Sequence, residues 1–479
     1  MGGSFYKNIL PFLNSNLKNF IYFVLFIYAA LAAWTIIYFD GTGDTGDSVS
    51  HYLFAKYAPK HPELYFDHWA KPVFVLLASP FAQFGFIGMK IFNSCVVLLT
   101  ILTTHNIAKT LKFRNAIIVS FILICTPLYF TLTFSGLTEP LFALVVSISI
   151  LLLLKDKYVA ASILISFLPF IRSEGLIFIG IFAIYFAFKC KWKMLPFLVV
   201  GHLIYSFLGY FIHHDLLWVI REIPYAHLDS IYGNGTLFHF SEKLFYLLGL
   251  PIYFLFVIGL IAIYWDAIKK KSNLNEQVLL ALGFLTFFIA HSLFWFLGIF
   301  GSMGLLRVFI CVMPIIALVA LKGYNFITET VFGQLKLPQL IFKALLIISV
   351  IIFPFTTNKA ALNFNRDFSI SQEQLLVQQM ADFSIKNYGT KQTYVCAHPY
   401  FSLALDIDPF DKTKMVDWNE SNLLNLQSGS LLIWDSHFAL IDLGVTKKTI
   451  DSDSSFVNIY NASKIDQGKE ILMSMYLKK

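Results

Sequence analysis

Charged side chains are scarce in this sequence. Of its 479 residues, 14% are Asp, Glu, Lys or Arg, whereas 57% are hydrophobic and the mean hydropathy is +0.68. Soluble domains carry about 25% charged residues, so this composition excludes a soluble enzyme and predicts an integral membrane protein. The net charge of +7 is too small for a nucleic-acid-binding protein.

Other features are missing as well. The five cysteines include no Cys-x-x-Cys pair, so they form neither a disulfide framework nor a metal framework. Nothing resembles a P-loop, which argues against an ATP-driven protein. The chain also shows no matching halves, whereas many transporters are built from repeated halves.

Long apolar runs predict membrane-spanning helices, since a helix needs about 20 residues to cross a bilayer core of about 30 Å. The first run lacks a cleavage site of small residues, so it predicts a retained helix. The run 72–84 is short and contains two prolines, which indicates a re-entrant or interfacial segment. We predict about eleven crossings, at about 20–38, 85–108, 115–135, 138–154, 158–174, 175–188, 194–213, 243–265, 277–299, 304–321 and 338–355.

Loop charges predict the side on which each loop lies. Lys and Arg collect in cytoplasmic loops, and with eleven crossings most of the loop lysines fall on the side of the amino terminus. This places the amino terminus in the cytoplasm, and we favour a bacterial inner membrane. The polar loop 40–71, the loop 213–243 and the carboxyl-terminal tail then lie outside together, where they can build one site.

The tail has an ordinary composition and predicts a second domain. We divide the chain into a transmembrane domain, 1–355, and a small extracytoplasmic α/β domain, 356–479. Short strands are predicted at about 393–396, 431–434 and 456–460, and a helix at about 371–385. Asp406-Ile407-Asp408 fits the Asp-x-Asp metal pattern of nucleotide-sugar transferases, but turn chemistry explains it better.

Four ionisable residues at the outer ends of apolar runs are candidates for function. A charge within a membrane helix costs about 2.5 to 3.5 kcal/mol, so such residues are rare without a purpose. Glu139, Arg172, Glu174 and Arg307 all fall at the predicted outer face. The alternative is interfacial snorkelling together with an Arg172–Glu174 pair that orders a loop.

The first outer loop holds the densest set of polar residues. From Asp40 to Asp47 three glycines lie among three carboxylates, which lets the backbone bend closely around a ligand. Carboxylates there can act as a general base or hold a divalent cation. Our default expectation is that no cofactor is required, with a divalent cation as the alternative. Lys71, where polar sequence enters an apolar run, suits a phosphate near the membrane, although a flexible solvated loop has a similar composition.

In this order the segments resemble those of the GT-C superfamily of polytopic glycosyltransferases, particularly the branch of protein mannosyltransferases and the bacterial aminoarabinose transferase. Asp47-Ser48-Val49-Ser50-His51-Tyr52 resembles the acidic motif of the family's first outer loop, and Asp67-His68-Trp69-Ala70-Lys71-Pro72 resembles the second motif. The segments around Glu139, Arg172 and Arg307 resemble further recurring ones. The set spans roughly residues 17–325.

The resemblance implies a GT-C-like helical membrane enzyme that moves a sugar, with inversion, from a polyprenyl-phosphate donor to a lipid, glycan or protein acceptor on the extracytoplasmic face. Asp47 is then the general base, with Asp44 as the alternative because Ser48 stands where the family often has a second acid. Further residues would bind the substrate. Lys71, Arg172 and Arg307 would hold the donor phosphate, while Asp67 and Glu174 would orient those cations or bind sugar hydroxyls. His51 and Glu139 are further candidates for substrate binding. A transporter or flippase of a lipid-linked or anionic substrate is the competing interpretation.

Overall fold

The structure, a computed structural model, describes residues 3–225, 230, 232–269, 273–330, 336–364, 368–466 and 468–479. Within these ranges seven helices are long and apolar enough to cross a membrane. The chain is therefore a polytopic α-helical membrane protein, as its composition predicts, but the predicted count of eleven crossings is not confirmed. The seven are Phe20–Tyr38, Phe86–Thr110, Trp192–His213, His239–Ile268, Glu276–Leu297, Leu306–Thr330 and Pro338–Thr356.

Shorter helices complete the bundle. Four are apolar, with 10 to 17 residues each: Pro72–Ala82, Glu139–Leu154, Tyr158–Phe170 and Gly175–Phe188. The predicted crossing at about 115–135 consists instead of two seven-residue helices, Ile118–Ile124 and Pro127–Thr133. The break falls just before Pro127, because proline disfavours a helical conformation in the residue that precedes it. Pro72–Ala82 is about 16 Å long at 1.5 Å per residue, too short to cross the bilayer alone.

The helix Met313–Thr330 lies at the centre of the bundle and packs against the helix His239–Ile268. Glycine allows this close approach at two positions. A Cβ atom on Gly259 would lie 1.9 Å from the carbonyl oxygen of Val319, and one on Gly323 would lie 2.0 Å from that of Leu255. Small residues at such contacts let the backbones of two membrane helices approach closely.

The tail forms the predicted α/β unit. Four strands, β1 (Tyr394–Cys396), β2 (Leu431–Asp435), β3 (Phe456–Asp466) and β4 (Lys469–Lys478), make one sheet in the order β1-β2-β4-β3. β1 and β2 are parallel, and the other neighbours are antiparallel. The prediction missed β4, whose central residues are all buried and so show no alternation of polar and apolar side chains. The accompanying helices are Gln372–Tyr388, Pro399–Leu405, Glu420–Leu424 and Lys447–Asp451.

The tail docks on the first polar loop. Lys56 lies in the last turn of the helix Asp47–Tyr57 and forms an ion pair with Asp406 at 2.6 Å. Lys60 lies just beyond the end of that helix and forms an ion pair with Asp408 at 2.7 Å. Both carboxylates of Asp406-Ile407-Asp408 thus take part in ion pairs with the first polar loop.

Candidate active site

A cavity of about 400 Å³ lies where the first polar loop meets the ends of several helices. Its lining comes from segments far apart in the sequence, so the fold alone brings them together. The charged residues in the lining are Asp47, Lys71, Arg172, Glu174 and Arg307, and other lining residues include His51, Trp69, Tyr225, Tyr232, His291, Phe300 and Ser302.

The two candidate bases have different surroundings. Asp44 folds the acidic loop, residues 40–47, since its Oδ1 accepts hydrogen bonds from the N–H groups of Gly46 (2.8 Å) and Ser48 (3.4 Å). Asp47 is the first residue of the helix Asp47–Tyr57 and lines the cavity, whereas Asp44 does not. Gly43 has a φ of +75°, and a Cβ atom there would lie 2.8 Å from Cβ of Ser135, so the turn requires glycine.

Arg307 joins both acids to the bundle. Its guanidinium pairs with Asp44 through Nη1 at 2.6 Å, contacts Asp47 through Nη2, and lies 3.5 Å from Oε1 of Glu139 through Nε. Burial raises the pKa of Asp47, but the charge and hydrogen bond of Arg307, with the charge of Arg172 adding to them, hold this pKa below its usual value. Asp47 is therefore ionised and ready to accept a hydrogen bond.

Arg172 continues this arrangement on the other side of Glu139. Its Nη1 lies 3.0 Å from Oε1 of Glu139, and its Nη2 lies 3.1 Å from Oε1 of Glu174. Glu139 is fully buried and does not line the cavity, while Arg172 and Glu174 do. The Arg172–Glu174 pair that the sequence suggested is therefore present. It does not describe the whole arrangement, because Arg172 and Arg307 also share Glu139.

Lys71 is the cavity cation with the fewest partners. Among the described residues no carboxylate lies within ion-pair distance of its Nζ, which donates one hydrogen bond to the carbonyl of His68 at 3.4 Å. Burial lowers the pKa of Lys71 to about 8, with Glu174 opposing and Arg172 adding to that shift. An anion that enters the cavity would find this ammonium group available.

The second motif positions Lys71 through its backbone. Asp67 accepts a hydrogen bond from the N–H of Ala70 at 2.8 Å and closes a turn, after which Lys71 takes a φ of 68°. Pro72 then begins the helix Pro72–Ala82. Asp67 does not line the cavity, so the structure gives it a part in shaping the turn.

His51 lies one helical turn after Asp47 and faces the same cavity. Its ring stacks on Trp69 with 5.2 Å between centroids, and the indole N–H of Trp69 donates to the hydroxyl of Tyr225 at 2.7 Å. Burial lowers the pKa of His51 to about 3, so its imidazole is neutral at physiological pH.

The sequence analysis did not single out several lining residues. His291 is buried and its Nε2 lies 4.0 Å from Oε1 of Glu174. It interrupts the apolar run 277–299, so the same rule that selected Arg172 would have found it. Tyr225 and Tyr232 come from the loop 213–243, and no signal in the sequence marks them among 23 tyrosines.

The described residues include no group of three or more His, Cys, Asp or Glu side chains arranged to hold a metal ion. Independence from a cofactor stays a prediction.

Comparison with known proteins gives the fold a context. No protein-family model matches the sequence, and a search of curated proteins found no match. Among solved structures, the chain is similar to apo ArnT, an aminoarabinose transferase, from Cupriavidus metallidurans (TM-score 0.62, 12% identity, 95% of this chain and 97% of that chain). The same ArnT bound to undecaprenyl phosphate aligns with a TM-score of 0.58 at 11% identity, over 94% and 97% of the two chains.

A further similar structure is the apo oligosaccharyltransferase from Archaeoglobus fulgidus. Its TM-score is 0.55 at 13% identity, over 93% of this chain and 73% of that chain. Both proteins are members of the GT-C superfamily. The fold that the sequence resemblance implied is thus confirmed, and this chain shares its fold with these two proteins.

Proposed function

We propose that this protein is a membrane glycosyltransferase that moves a sugar from a polyprenyl-phosphate-linked donor to an acceptor hydroxyl or amine, with inversion at the anomeric carbon. The single observation that carries the proposal is the cavity in which an ionised carboxylate, Asp47, faces the same space as Lys71, Arg172 and Arg307. A base for an acceptor and cations for a leaving phosphate are the equipment that this reaction needs.

The acceptor side of the reaction uses Asp47. As the acceptor oxygen or nitrogen attacks the anomeric carbon, its proton passes to the Asp47 carboxylate. We favour Asp47 over Asp44, because Asp44 already accepts two backbone hydrogen bonds and does not line the cavity. Inversion follows when attack and departure occur on opposite faces of the sugar.

The donor side uses the cations. The bond between the anomeric carbon and the phosphate oxygen breaks, and the electron pair remains on the phosphate. Lys71 meets this charge as a free ammonium, while Arg172 and Arg307 are held in place by Glu139 and present their remaining N–H groups. Such a preorganised cluster stabilises developing charge without reorganising during the reaction.

A lipid-linked donor is supported by the apolar environment of the site and by the similar ArnT, whose structure has been determined with undecaprenyl phosphate. We propose the extracytoplasmic face of a bacterial inner membrane as the location, with the amino terminus in the cytoplasm. In this orientation the loop 40–71 and the loop 213–243 lie on the outer side of the transmembrane domain, 1–355. The tail, which is domain 356–479, lies on the same side. The acceptor class is a lipid, a glycan or a protein.

The test uses purified full-length protein, polyprenyl-phosphate sugars in detergent, and a readout of both transfer and donor hydrolysis. We expect turnover by the wild type and a loss of about 10² to 10⁴-fold in Asp47→Asn, the usual contribution of a general base. Asp453→Asn, in an exposed turn of the tail, is the matched control and should keep full activity. Absence of turnover with every lipid-linked sugar would reject the class, and full activity of Asp47→Asn would reject the base.

A transporter or flippase remains the competing function. Transporters bind near the middle of the membrane between repeated halves, whereas here the charged residues gather at the ends of helices beside the tail. Movement of intact lipid phosphate across vesicles without sugar transfer would favour that alternative.

A further inference from the structure

The tail touches the acidic loop directly, through groups that the proposed chemistry does not use. The Nε2 of Gln374, which is 2% exposed, donates a hydrogen bond to Oγ1 of Thr42 at 2.6 Å. That hydroxyl donates in turn to the carbonyl oxygen of Asp44 at 2.6 Å. The N–H of Gly41 donates to the carbonyl of Phe368 at 2.8 Å. The start of the acidic loop is thus bound to the tail by side chain and by backbone.

The opposite side of Thr42 is bound to the helix bundle. The hydroxyl of Ser48 donates to the carbonyl of Thr42 at 2.6 Å and accepts a hydrogen bond from the N–H of Gly136 at 2.6 Å. Glycine-rich segments have many accessible backbone conformations. The conformation of this loop is consequently defined by tertiary hydrogen bonds, from the tail on one side and from the bundle on the other.

A second contact lies beyond the far end of the helix that begins with Asp47. Asp408 of the tail accepts from Lys60 at 2.7 Å and from His61 at 2.9 Å. The ring of Phe410 packs on Phe54 with 4.9 Å between centroids. The tail therefore contacts the chain both before and after the helix Asp47–Tyr57.

We propose that Gln374 is a positioning residue, which acts through Thr42 to hold the acidic loop so that Asp47 faces the cavity, and that the tail serves as a brace for this loop. This inference rests on the proposed function for the role of Asp47 as the base. A displacement of about 1 Å in a reacting group can cost about 10²-fold in rate. Lys71 and Arg172 lie on other segments, so loosening the loop should impair the chemical step and leave binding of the donor phosphate intact.

Gln374→Glu is the sharpest variant. In the wild type Oε1 of Gln374 accepts from the N–H of Ser371 at 3.2 Å and so completes the cap of the helix Gln372–Tyr388. Glutamate keeps this acceptor but loses the donor to Thr42. Gln378→Glu is the matched control, because Gln378 lies one turn further along the helix and bonds to Tyr400 within the tail at 3.2 Å. Both variants add the same charge to the same helix.

Four quantities are measured on the full-length protein: kcat, the KM for the donor, the affinity for polyprenyl phosphate, and amide hydrogen exchange. For Gln374→Glu we expect kcat to fall about tenfold, the loss equivalent to one hydrogen bond of about 1.4 kcal/mol. Lipid phosphate affinity should stay within twofold of wild type. Amides of residues 41–48 should exchange about tenfold faster, while those of β2 and β4 keep their protection. Gln378→Glu should match the wild type throughout.

Thr42→Val removes the partner hydroxyl from the side of the loop and covers the case in which Gln374→Glu fails to fold. Its loop amides should also exchange faster, and the double variant should be no slower in catalysis than the worse single variant, since both break one chain of hydrogen bonds. Unchanged exchange in residues 41–48 of either folded variant would overturn the proposal. So would equal loss of protection across the whole tail. If the wild type lacks transferase activity, the proposed function fails, while the exchange data still decide whether Gln374 holds the loop.

Discussion

Arg172 and Glu139 form an ion pair at 3.0 Å in which the carboxylate is completely buried. The same oxygen lies 3.5 Å from Nε of Arg307, so one carboxylate separates two guanidinium groups. Without it the two cations would repel each other in a region of low dielectric constant. Glu139 thereby sets the spacing of the two arginines that face the cavity.

Glu139→Gln should accordingly destabilise the protein, because it removes the buried carboxylate that the two arginines share and leaves Arg172 paired only with Glu174, and Arg307 only with the loop acids Asp44 and Asp47. Breaking a buried ion pair in this way typically costs about 3 to 5 kcal/mol. Thermal unfolding in detergent measures the loss. Glu329→Gln is the control, since Glu329 pairs with Arg114 in an exposed position and should change stability by less than about 1 kcal/mol. Equal melting temperatures for the two variants would contradict this role of Glu139.

The affinity for the donor should depend on pH through Lys71. Burial lowers the pKa of Lys71 to about 8, so the ammonium is charged below that pH and becomes neutral above it. The KM for the donor should be flat from pH 6 to 7 and then rise by up to about tenfold per pH unit above about 8, as expected for loss of one proton.

Lys71→Arg should move that rise above pH 10, because arginine stays charged there. Lys386→Arg, an exposed change in the tail, should leave the profile unaltered. A wild-type KM that is constant to pH 10 would show that Lys71 does not meet the phosphate as a titrating cation.

Arg307 should control the acid side of the activity profile. Its charge lowers the pKa of Asp47 below the usual value of a carboxylic acid, so the wild-type base stays ionised and activity should not fall between pH 7 and 5. Arg307→Gln removes that charge while burial still favours the protonated acid. The residual activity of this variant should fall at a higher pH than in the wild type. Measured kcat/KM against pH tests this, and identical acid limbs would exclude an electrostatic effect of Arg307 on Asp47.

Gly136→Ala should destabilise the contact between the acidic loop and the bundle. A Cβ atom there would lie 2.3 Å from the carbonyl oxygen of Ser48, which belongs to backbone and cannot rotate away. Overpacking of this kind typically costs about 1 to 3 kcal/mol. Gly180→Ala is the matched control, since a Cβ atom at that helical glycine meets nothing within 4 Å. Unfolding midpoints of the two variants measure the difference, and equal midpoints would contradict the close contact.

Membrane embedding and the helical architecture follow from the sequence, because bilayer thickness fixes the length of an apolar run. The number of crossings does not follow. The run 115–135 is long enough to cross yet breaks at Pro127, and the run 158–174 holds the helix Tyr158–Ser166 followed by a short 3₁₀ turn. Helix breaks depend on how neighbouring helices satisfy the freed backbone groups, which hydropathy does not record.

The types of charged residue at the site also follow from the sequence. A carboxylate or a cation within or beside a membrane segment costs free energy, so these residues are easy to recognise against apolar runs. Their partners follow only in part. The Arg172–Glu174 pair that the sequence suggested is present at 3.1 Å, but nothing in the sequence indicated that Glu139 lies between Arg172 and Arg307.

Composition, hydropathy and the order of the motifs determined what class of protein this is, because those properties depend on residue types and on distance along the chain. The tertiary structure decided which acid faces the cavity, which cavity cation has no carboxylate partner among the described residues, and that the tail contacts the acidic loop. These depend on contacts between residues such as Thr42 and Gln374, which lie more than 300 positions apart. Such a pair leaves no trace in local periodicity, so only the packed chain reveals it.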